Sequence, residues 1–315
     1  MEAFLTMLKS VLLFVTMALP GYLFVKTKFL KEEQSAPLSK LLTHLGLPFL
    51  VISNLLNVEL NLAFIQNVAL LMGVSFLALI LGMLGTKYLV RRVDDRKKQG
   101  MMRFCMVFAN NGFLGIPLAK AVFGDSVVVT YVSLFSILFN LFMYTLGVYW
   151  ISGDKRAMNV KKACTTPILI AFLVGLTLNL LNVKEMIPQV TEYANHFSGL
   201  VTPLSMTVLG MKLGEIEIKR LFTSTATYWV AVCKLVLMPT LAIGLFLSLR
   251  LVIPVPDFLL YATFIGFATP SPALSSAFAD QHEGDIKGAA IYTLGTTLLS
   301  VLTIPILYWA LSSIL

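Results

Sequence analysis

The sequence predicts an all-α polytopic membrane protein with ten transmembrane helices, two of which are broken in the middle. Hydrophobic residues make up 57% of the 315 residues and charged residues only 13%, and the mean hydropathy is +0.85. A soluble domain would carry about 25% charged residues. Apolar runs of about 20 residues, the length that crosses a bilayer, recur along the whole chain. The chain is therefore expected to lie in a lipid bilayer.

Hydropathy and the charged or turn-forming residues between apolar runs place the ten spans in order. The first run carries Lys9 in its first turns and is longer than the apolar part of a signal peptide, so we interpret it as a span. Five spans form a predicted first unit at 1–152, a linker covers 153–166, and five spans form a second unit at 167–315. The predicted spans are 4–25, 38–57, 64–90, 101–123, 127–152, 167–183, 193–213, 225–249, 257–279 and 286–314.

Charge gives the predicted orientation of the spans. With both termini outside, 18 of the 24 lysines and arginines fall in cytoplasmic loops, and the outer side holds only Lys9, Lys120, Lys184 and Arg250. Positive residues accumulate on the cytoplasmic side of membrane proteins. The sequence therefore predicts a multi-pass protein of the inner (cell) membrane with its N-terminus and C-terminus outside.

An odd number of spans in each half means that any repeat between the halves must be inverted. A shift of 155 residues places Pro48 on Pro203, Pro117 on Pro272 and Asp125 on Asp280. The two proline pairs fall in corresponding spans, and each aspartate follows a broken span. We therefore expect two inverted five-helix repeats whose broken fourth and ninth helices cross.

The breaks are the run from Asn110 to Pro117 and the run from Ala268 to Ser276, both rich in glycine, proline and polar residues. A helix interrupted at membrane depth exposes free N–H groups at one end and free C=O groups at the other, and the N–H end favours an anion. Amides and hydroxyls add further donors. The alternative is that the prolines only kink packed helices. The candidate substrate-binding residues are Asn110, Asn111, Gly112, Pro117, Pro270, Ser271, Pro272 and Ser275.

Three ionisable residues are candidates for coupling or counter-charge. Lys234 lies well inside the eighth span, where a lysine is costly, so it is either a functional cation or bonded to helix carbonyls loosened by Pro239. His44 titrates near neutral pH, but a solvated or packed histidine is the simpler interpretation. Asp280 belongs to an acidic cluster that is either a cation entry point or a solvated loop.

Several function classes are disfavoured. The three cysteines are scattered without nearby histidines, so neither a disulfide framework nor a metal site is predicted. We find no P-loop, no Gly-x-Ser-x-Gly and no His-Glu-x-x-His. The net charge of +8 fits cytoplasmic loops, so no nucleic-acid partner is expected. We expect no cofactor and no enzyme activity.

At the run from Asn110 to Gly124 the chain resembles the auxin efflux carrier family. Lys234 with Pro239, and Pro270-Ser271-Pro272 continued into the acidic loop, are similar to that family's eighth- and ninth-span patterns. The resemblance implies that Asn110 and Pro270 are the crossover residues. It also implies a scaffold of the first, second, sixth and seventh spans that dimerises, with the other six spans forming a moving transport domain. Position 111, often small or hydroxylated in the family, is Asn111 here.

We therefore expect a secondary transporter of small organic anions, mono- or dicarboxylates such as malate or malonate, that works by an elevator mechanism with H⁺, Na⁺ or no coupling ion. The short linker 153–166 favours a compact, bacterial-type carrier. The nearest alternative is a sodium-coupled symporter of the bile-acid type. A non-transporting membrane receptor for an organic anion is another, and an intramembrane enzyme is the weakest.

Overall fold

The structure, a computed structural model, describes residues 2–124, 127–215, 221 and 224–315. Within these ranges all regular elements are helical. Eight segments of the described chain are long and apolar enough to cross a membrane. The protein is therefore a multi-pass helical membrane protein. The eight segments are Phe4–Lys26, Ser35–Leu56, Leu62–Leu89, Arg96–Phe123, Val127–Ser152, Lys155–Leu180, Thr225–Arg250 and Ile286–Ser312.

The principal helices are numbered here in chain order, and short helical turns fill several of the connections between them. They are α1 (Glu2–Lys26), α2 (Ser35–Leu56), α3 (Leu62–Leu89), α4 (Arg96–Val107), α5 (Ile116–Phe123), α6 (Val127–Ser152), α7 (Pro167–Leu180), α8 (Gln189–Ser198), α9 (Val201–Glu215), α10 (Thr225–Arg250), α11 (Asp257–Ala268), α12 (Ser275–Gln281) and α13 (Ile286–Ser312).

Eight of the predicted spans overlap the eight apolar segments, and most ends differ by a few residues, but the segment Lys155–Leu180 begins 12 residues before the predicted span 167–183. The predicted span 193–213 corresponds to two helices, α8 and α9, that meet at Gly199 and Leu200. The predicted span 257–279 is divided into α11 and α12. Asp125, which the repeat offset pairs with Asp280, lies outside the described residues.

Three prolines explain where helices widen into a π-helical turn. These turns cover Leu42–Gly46, Asn111–Gly115 and Cys233–Leu237, and Pro48, Pro117 and Pro239 follow them by two residues. Proline has no N–H and its ring clashes with the carbonyl four residues earlier, which in each case lies within the turn. The helix relieves this clash by adding a residue to the turn. A fourth π-helical turn, Met143–Gly147 in α6, has no proline after it.

The helices pack in two groups, which meet along α1 and α13. In the first group, α1 lies along α9, and α2 packs against α7 and α8. In the second, α3, α4, α6, α10, α11 and α13 pack against one another, with the short α5 and α12 attached to α6 and α13. The contact between α1 and α9 is very close, because a Cβ atom at Gly21 would overlap the carbonyl oxygen of Thr207 and one at Gly210 that of Ala18. The broken helices belong to the second group.

Candidate functional site

The two chain breaks are in direct contact. The backbone N–H of Asn110 donates to the carbonyl oxygen of Pro270 at 2.8 Å. The hydroxyl of Ser271 donates to the carbonyl oxygen of Cys105 at 2.7 Å, and that of Thr269 donates to Asn111 Oδ1 at 3.1 Å. Backbone polar groups in the membrane must be satisfied within the protein. Each break therefore supplies partners for the other.

The first break has a local cause in its sequence. Asn110 leaves the helical region, with φ −83° and ψ 56°, and its carbonyl then accepts the N–H groups of Leu114 and Gly115, each at 3.0 Å. A Cβ atom at Gly115 would lie 2.9 Å from Asn111 Oδ1. Gly115 thus lets the Asn111 side chain fold against the restarted helix, and Pro117 is pre-organised for the first turn of α5.

Two carboxamide donors at the crossing are buried without a partner. Asn110 is 5% exposed and Asn111 is 3% exposed, and neither Nδ2 has a hydrogen-bond partner among the described residues. A buried donor without a partner costs about 1–3 kcal/mol and calls for an explanation. Both asparagines line a small cavity of about 80 Å³, called here the crossing cavity. The arrangement can receive an acceptor such as a carboxylate oxygen.

A larger cavity opens from the crossing cavity toward one end of the helix bundle. It has a volume of about 820 Å³ and lies between the N-terminal ends of α2 and α7 and the C-terminal half of α9. Five residues line both cavities: Thr43, Tyr144, Thr166, Pro167 and Leu274. The crossing cavity therefore adjoins this larger space, called here the basic vestibule.

Positive charge dominates the basic vestibule. Lys40, Lys162 and Lys212 line it together with His44, and among the described lining residues Glu33 is the one carboxylate. The ammonium of Lys162 lies 5.2 Å from the centroid of the Tyr144 ring, which lines both cavities. Lys212 Nζ donates to the carbonyl oxygen of Ala273 at 2.6 Å, next to the second break. This charge attracts anions toward the crossing.

A third cavity lies at the opposite end of α2. It has a volume of about 700 Å³ and is called here the asparagine vestibule, because Asn54, Asn57, Asn61, Asn67 and Asn195 line it. None of its described lining residues also lines the crossing cavity. On α2 the two spaces are separated by Leu50 and Val51, which are 1% and 2% exposed. Of these two vestibules, the basic vestibule is therefore the one that shares described lining residues with the crossing cavity.

The predicted substrate-binding residues divide into two sets. Asn110, Asn111, Gly112 and Pro272 line the crossing cavity. The other four, Pro117, Pro270, Ser271 and Ser275, are buried beside it and hold the breaks in place. Pro270 does so through its carbonyl oxygen, Ser271 also donates its N–H to Thr296 Oγ1 at 3.1 Å, and the Ser275 hydroxyl donates to the carbonyl oxygen of Pro272 at 2.6 Å.

The three ionisable candidates lie in different surroundings. Lys234 is fully buried, and its ammonium donates to the carbonyl oxygen of Phe267 at 3.0 Å. His44 is an exposed residue of the basic vestibule, with Nδ1 3.0 Å from the carbonyl oxygen of Lys40. Asp280 is exposed near the end of α12 and lines neither the crossing cavity nor the basic vestibule. Within the described ranges no histidine, cysteine and carboxylate side chains gather to hold a metal ion.

Sequence reasoning did not single out several residues of the site. Thr269 bonds Asn111, and Ser136, Asn140, Tyr144 and Thr166 line the crossing cavity. Asn140 carried a usable signal, because it is an amide inside an otherwise apolar span. The others are common in membrane helices, and only the packing shows which way they face.

Near the basic vestibule and outside the membrane spans, a histidine has a shifted pKa. His282, in the loop after α12, stacks beside Phe278 with ring centroids 6.3 Å apart. Burial first, and then the positive charge of Lys162, lowers the pKa of His282 below its ordinary value of 6.5. The neutral imidazole is therefore favoured at this position.

Comparison with known proteins agrees with a transporter. Residues 6–308 match the family described as membrane transport protein, which is the family of the auxin efflux carriers, and the chain belongs to it. It is similar to an uncharacterised transporter of Methanothermobacter thermautotrophicus, with 25% identity over 95% of this chain and 96% of the relative. It is also similar to an uncharacterised transporter of Methanocaldococcus jannaschii, with 24% identity over 96% of this chain and 97% of the relative.

The family settles the class of protein. The chain is a membrane transport protein rather than an enzyme, as the sequence predicted.

Proposed function

We propose that the protein is a secondary carrier of small organic anions, mono- or dicarboxylates such as malate or malonate. One observation carries the proposal: the amide donors of Asn110 and Asn111, which have no partner in the described part of the chain, line a cavity that adjoins a lysine-lined vestibule. Donors without acceptors suit a ligand that brings only acceptors, and an ionised carboxylate is such a ligand. The lysines of the basic vestibule also favour a negatively charged ligand.

The geometry suggests how a substrate would bind. The crossing cavity, at about 80 Å³, is small. A carboxylate group would therefore enter it while the remainder of the substrate extends toward the basic vestibule. The start of the helical turn Asn111–Gly115 adds the positive end of a helix to the same point. Asn140 and Tyr144 on α6 then form a wall that meets the rest of the substrate.

The two helix groups supply the parts of an elevator mechanism. In this proposal α1, α2, α7 and the pair α8–α9 form a scaffold that pairs with a second copy in a homodimer. The other helices carry the crossing past this scaffold. Counting α8–α9 as one broken span and α11–α12 as another gives ten spans in two inverted five-helix repeats, with both termini outside the cell membrane. The basic vestibule then faces the cytoplasm, and the structure corresponds to the inward-open state.

Flux into proteoliposomes tests the function. Purified protein would be reconstituted and supplied with labelled malate, malonate, citrate or an aromatic monocarboxylate under imposed pH, Na⁺ or voltage gradients. Saturable flux of one of these acids supports the proposal, and the effective gradient identifies the coupling, with a strict need for Na⁺ assigning a sodium symporter. Saturable binding without flux would instead assign a receptor. No binding and no flux from folded protein would overturn the proposal.

A further inference from the structure

Lys234 is a buried lysine without a carboxylate partner among the described residues. It lies in the π-helical turn Cys233–Leu237 of α10 and is 0% exposed. No carboxylate in the described part of the chain forms a salt bridge with it. An unpaired charge in the membrane interior is costly and marks a functional position. Its polar contact is therefore informative.

That contact is with the end of a broken helix. Phe267, whose carbonyl oxygen accepts the ammonium at 3.0 Å, is the penultimate residue of α11. The last carbonyls of a helix have no partner within it and carry a partial negative charge. The ring of Phe139 lies on another side of the ammonium, with its centroid 5.9 Å away, and this ring also packs against Phe267. Lys234 thus places its side-chain nitrogen, as a hydrogen-bond donor, at the carbonyl end of α11.

The other broken helix is completed without a cation. The carbonyl oxygen of Cys105, in the last turn of α4, accepts the Ser271 hydroxyl, and the Asn110 N–H bonds the Pro270 carbonyl. These neutral donors come from the breaks themselves. The carbonyl end of α11 differs because its donor is a charged side chain from a separate helix, α10.

We propose that Lys234 is a tethered substitute for a bound monovalent cation at the carbonyl end of α11, so that transport needs no Na⁺ or K⁺. Carbonyl oxygens at an interrupted helix are the ligands with which a carrier holds an alkali cation. Here the ammonium occupies that place permanently. Lys234 acts on the substrate through the geometry of the crossing and is a positioning residue. The inference rests on the proposed function as far as flux is concerned.

Removing the side chain then converts a fixed cation into a site for an exchangeable one. In Lys234→Ala the carbonyl of Phe267 loses its donor and a space the length of the lysine side chain opens beside it. A small monovalent cation, or a small amine such as methylammonium, can enter that space. In Lys234→Met an uncharged chain of similar length fills the space, so no added cation is expected to restore function.

The experiment compares wild type, Lys234→Ala and Lys234→Met in proteoliposomes with Na⁺, K⁺, methylammonium or a bulky organic cation that cannot enter the space. Wild-type flux should be the same in all four. Lys234→Ala should lose about tenfold or more in the bulky cation, the range expected when a buried acceptor loses its donor, and recover in one or more of the small cations. Lys234→Met should lose flux without recovery. Lys87→Ala, which removes an exposed lysine in the last turn of α3, is the matched control.

Three results would overturn the inference: wild-type flux that requires Na⁺, unchanged flux in Lys234→Ala, or lost flux that no small cation restores. A second readout does not depend on transport. Na⁺ or methylammonium should raise the thermal unfolding temperature in detergent of Lys234→Ala only, because a ligand stabilises the state that binds it. If wild type carries none of the acids, the proposed function fails, and this stabilisation still decides the role of Lys234.

Discussion

Asn110 donates its backbone N–H to the carbonyl oxygen of Pro270 at 2.8 Å, and this bond between the two breaks uses no side-chain atom. Substitution of Asn110 by another residue other than proline preserves this bond. The carboxamide of the same residue, in contrast, has no partner for its Nδ2 within the described chain. Structure and proposed binding can therefore be separated by mutation at one position.

Asn110→Ala should weaken binding of the proposed acid substrate while the protein stays folded, and Asn111→Ala should weaken it too while also removing the acceptor of the Thr269 hydroxyl. A hydrogen bond to a charged group is worth about 1.5–3 kcal/mol, so each change should raise KM by about 10- to 100-fold. Flux in proteoliposomes measures this. Ser75→Ala is the control, since Ser75 Oγ is also buried without a described partner but does not line the crossing cavity. Equal KM values in wild type and both asparagine variants would contradict the assignment.

The lysines of the basic vestibule should act through long-range attraction. Lys40→Gln and Lys162→Gln should each raise KM by about two- to tenfold at low salt, and the effect should shrink as salt screens the charge. Initial rates at several ionic strengths measure it. Lys97→Gln removes an exposed lysine that does not line the vestibule and should change little. A salt-independent effect would show that these lysines act by another route.

Cys164 provides a test of the proposed orientation. It is exposed and lies between Lys162 and the start of α7, whereas Cys105 and Cys233 are buried. A membrane-impermeant maleimide should label Cys164 in inside-out vesicles and not in intact cells. Cys164→Ser should abolish labelling in native protein. Labelling from the outside would reverse the orientation and place the basic vestibule on the outer surface.

Gly210 should be intolerant of a methyl group. Gly210→Ala forces α1 and α9 apart, because the added Cβ overlaps the carbonyl oxygen of Ala18. Overpacking of this kind costs about 1–3 kcal/mol. The thermal unfolding temperature in detergent should be clearly lower for Gly210→Ala than for wild type. Gly244→Ala is matched, since its Cβ meets nothing within 4 Å, and it should be neutral or slightly stabilising in helix α10.

The lowered pKa of His282 predicts a small loss of stability on acidification. Above pH 6.5 the imidazole is neutral in both the folded and the unfolded protein, so it contributes nothing. As pH falls below that value, the unfolded state binds the proton first and is therefore stabilised relative to the folded state. His282→Gln should therefore lose less thermal stability than wild type between about pH 7 and pH 5. His196→Gln, at an exposed histidine, is the control.

The sequence was most informative about the lengths of the helices and the positions of the two breaks. Apolar length located the helices, and the runs at Asn110–Pro117 and Ala268–Ser276 lie where α4 and α11 end. The sequence was less informative about the direction in which individual side chains face. Ser271 and Ser275 have the same chemistry as residues that line a cavity, yet both are fully buried in bonds to carbonyl oxygens, while Asn140 lines the crossing cavity from another helix. Which way a side chain faces depends on packing between distant segments, which periodicity does not encode.

The division at the crossing has a consequence for how specificity can change over generations. The junction itself combines one main-chain bond, from the Asn110 N–H to the Pro270 carbonyl oxygen, with bonds from the hydroxyls of Ser271 and Thr269. The walls that meet the remainder of a ligand come from side chains on separate helices, including Asn140, Tyr144 and Thr166. These residues can be substituted one at a time while the residues of the junction stay the same. Such an arrangement allows the walls of the crossing cavity to change in single mutational steps while the fold is kept.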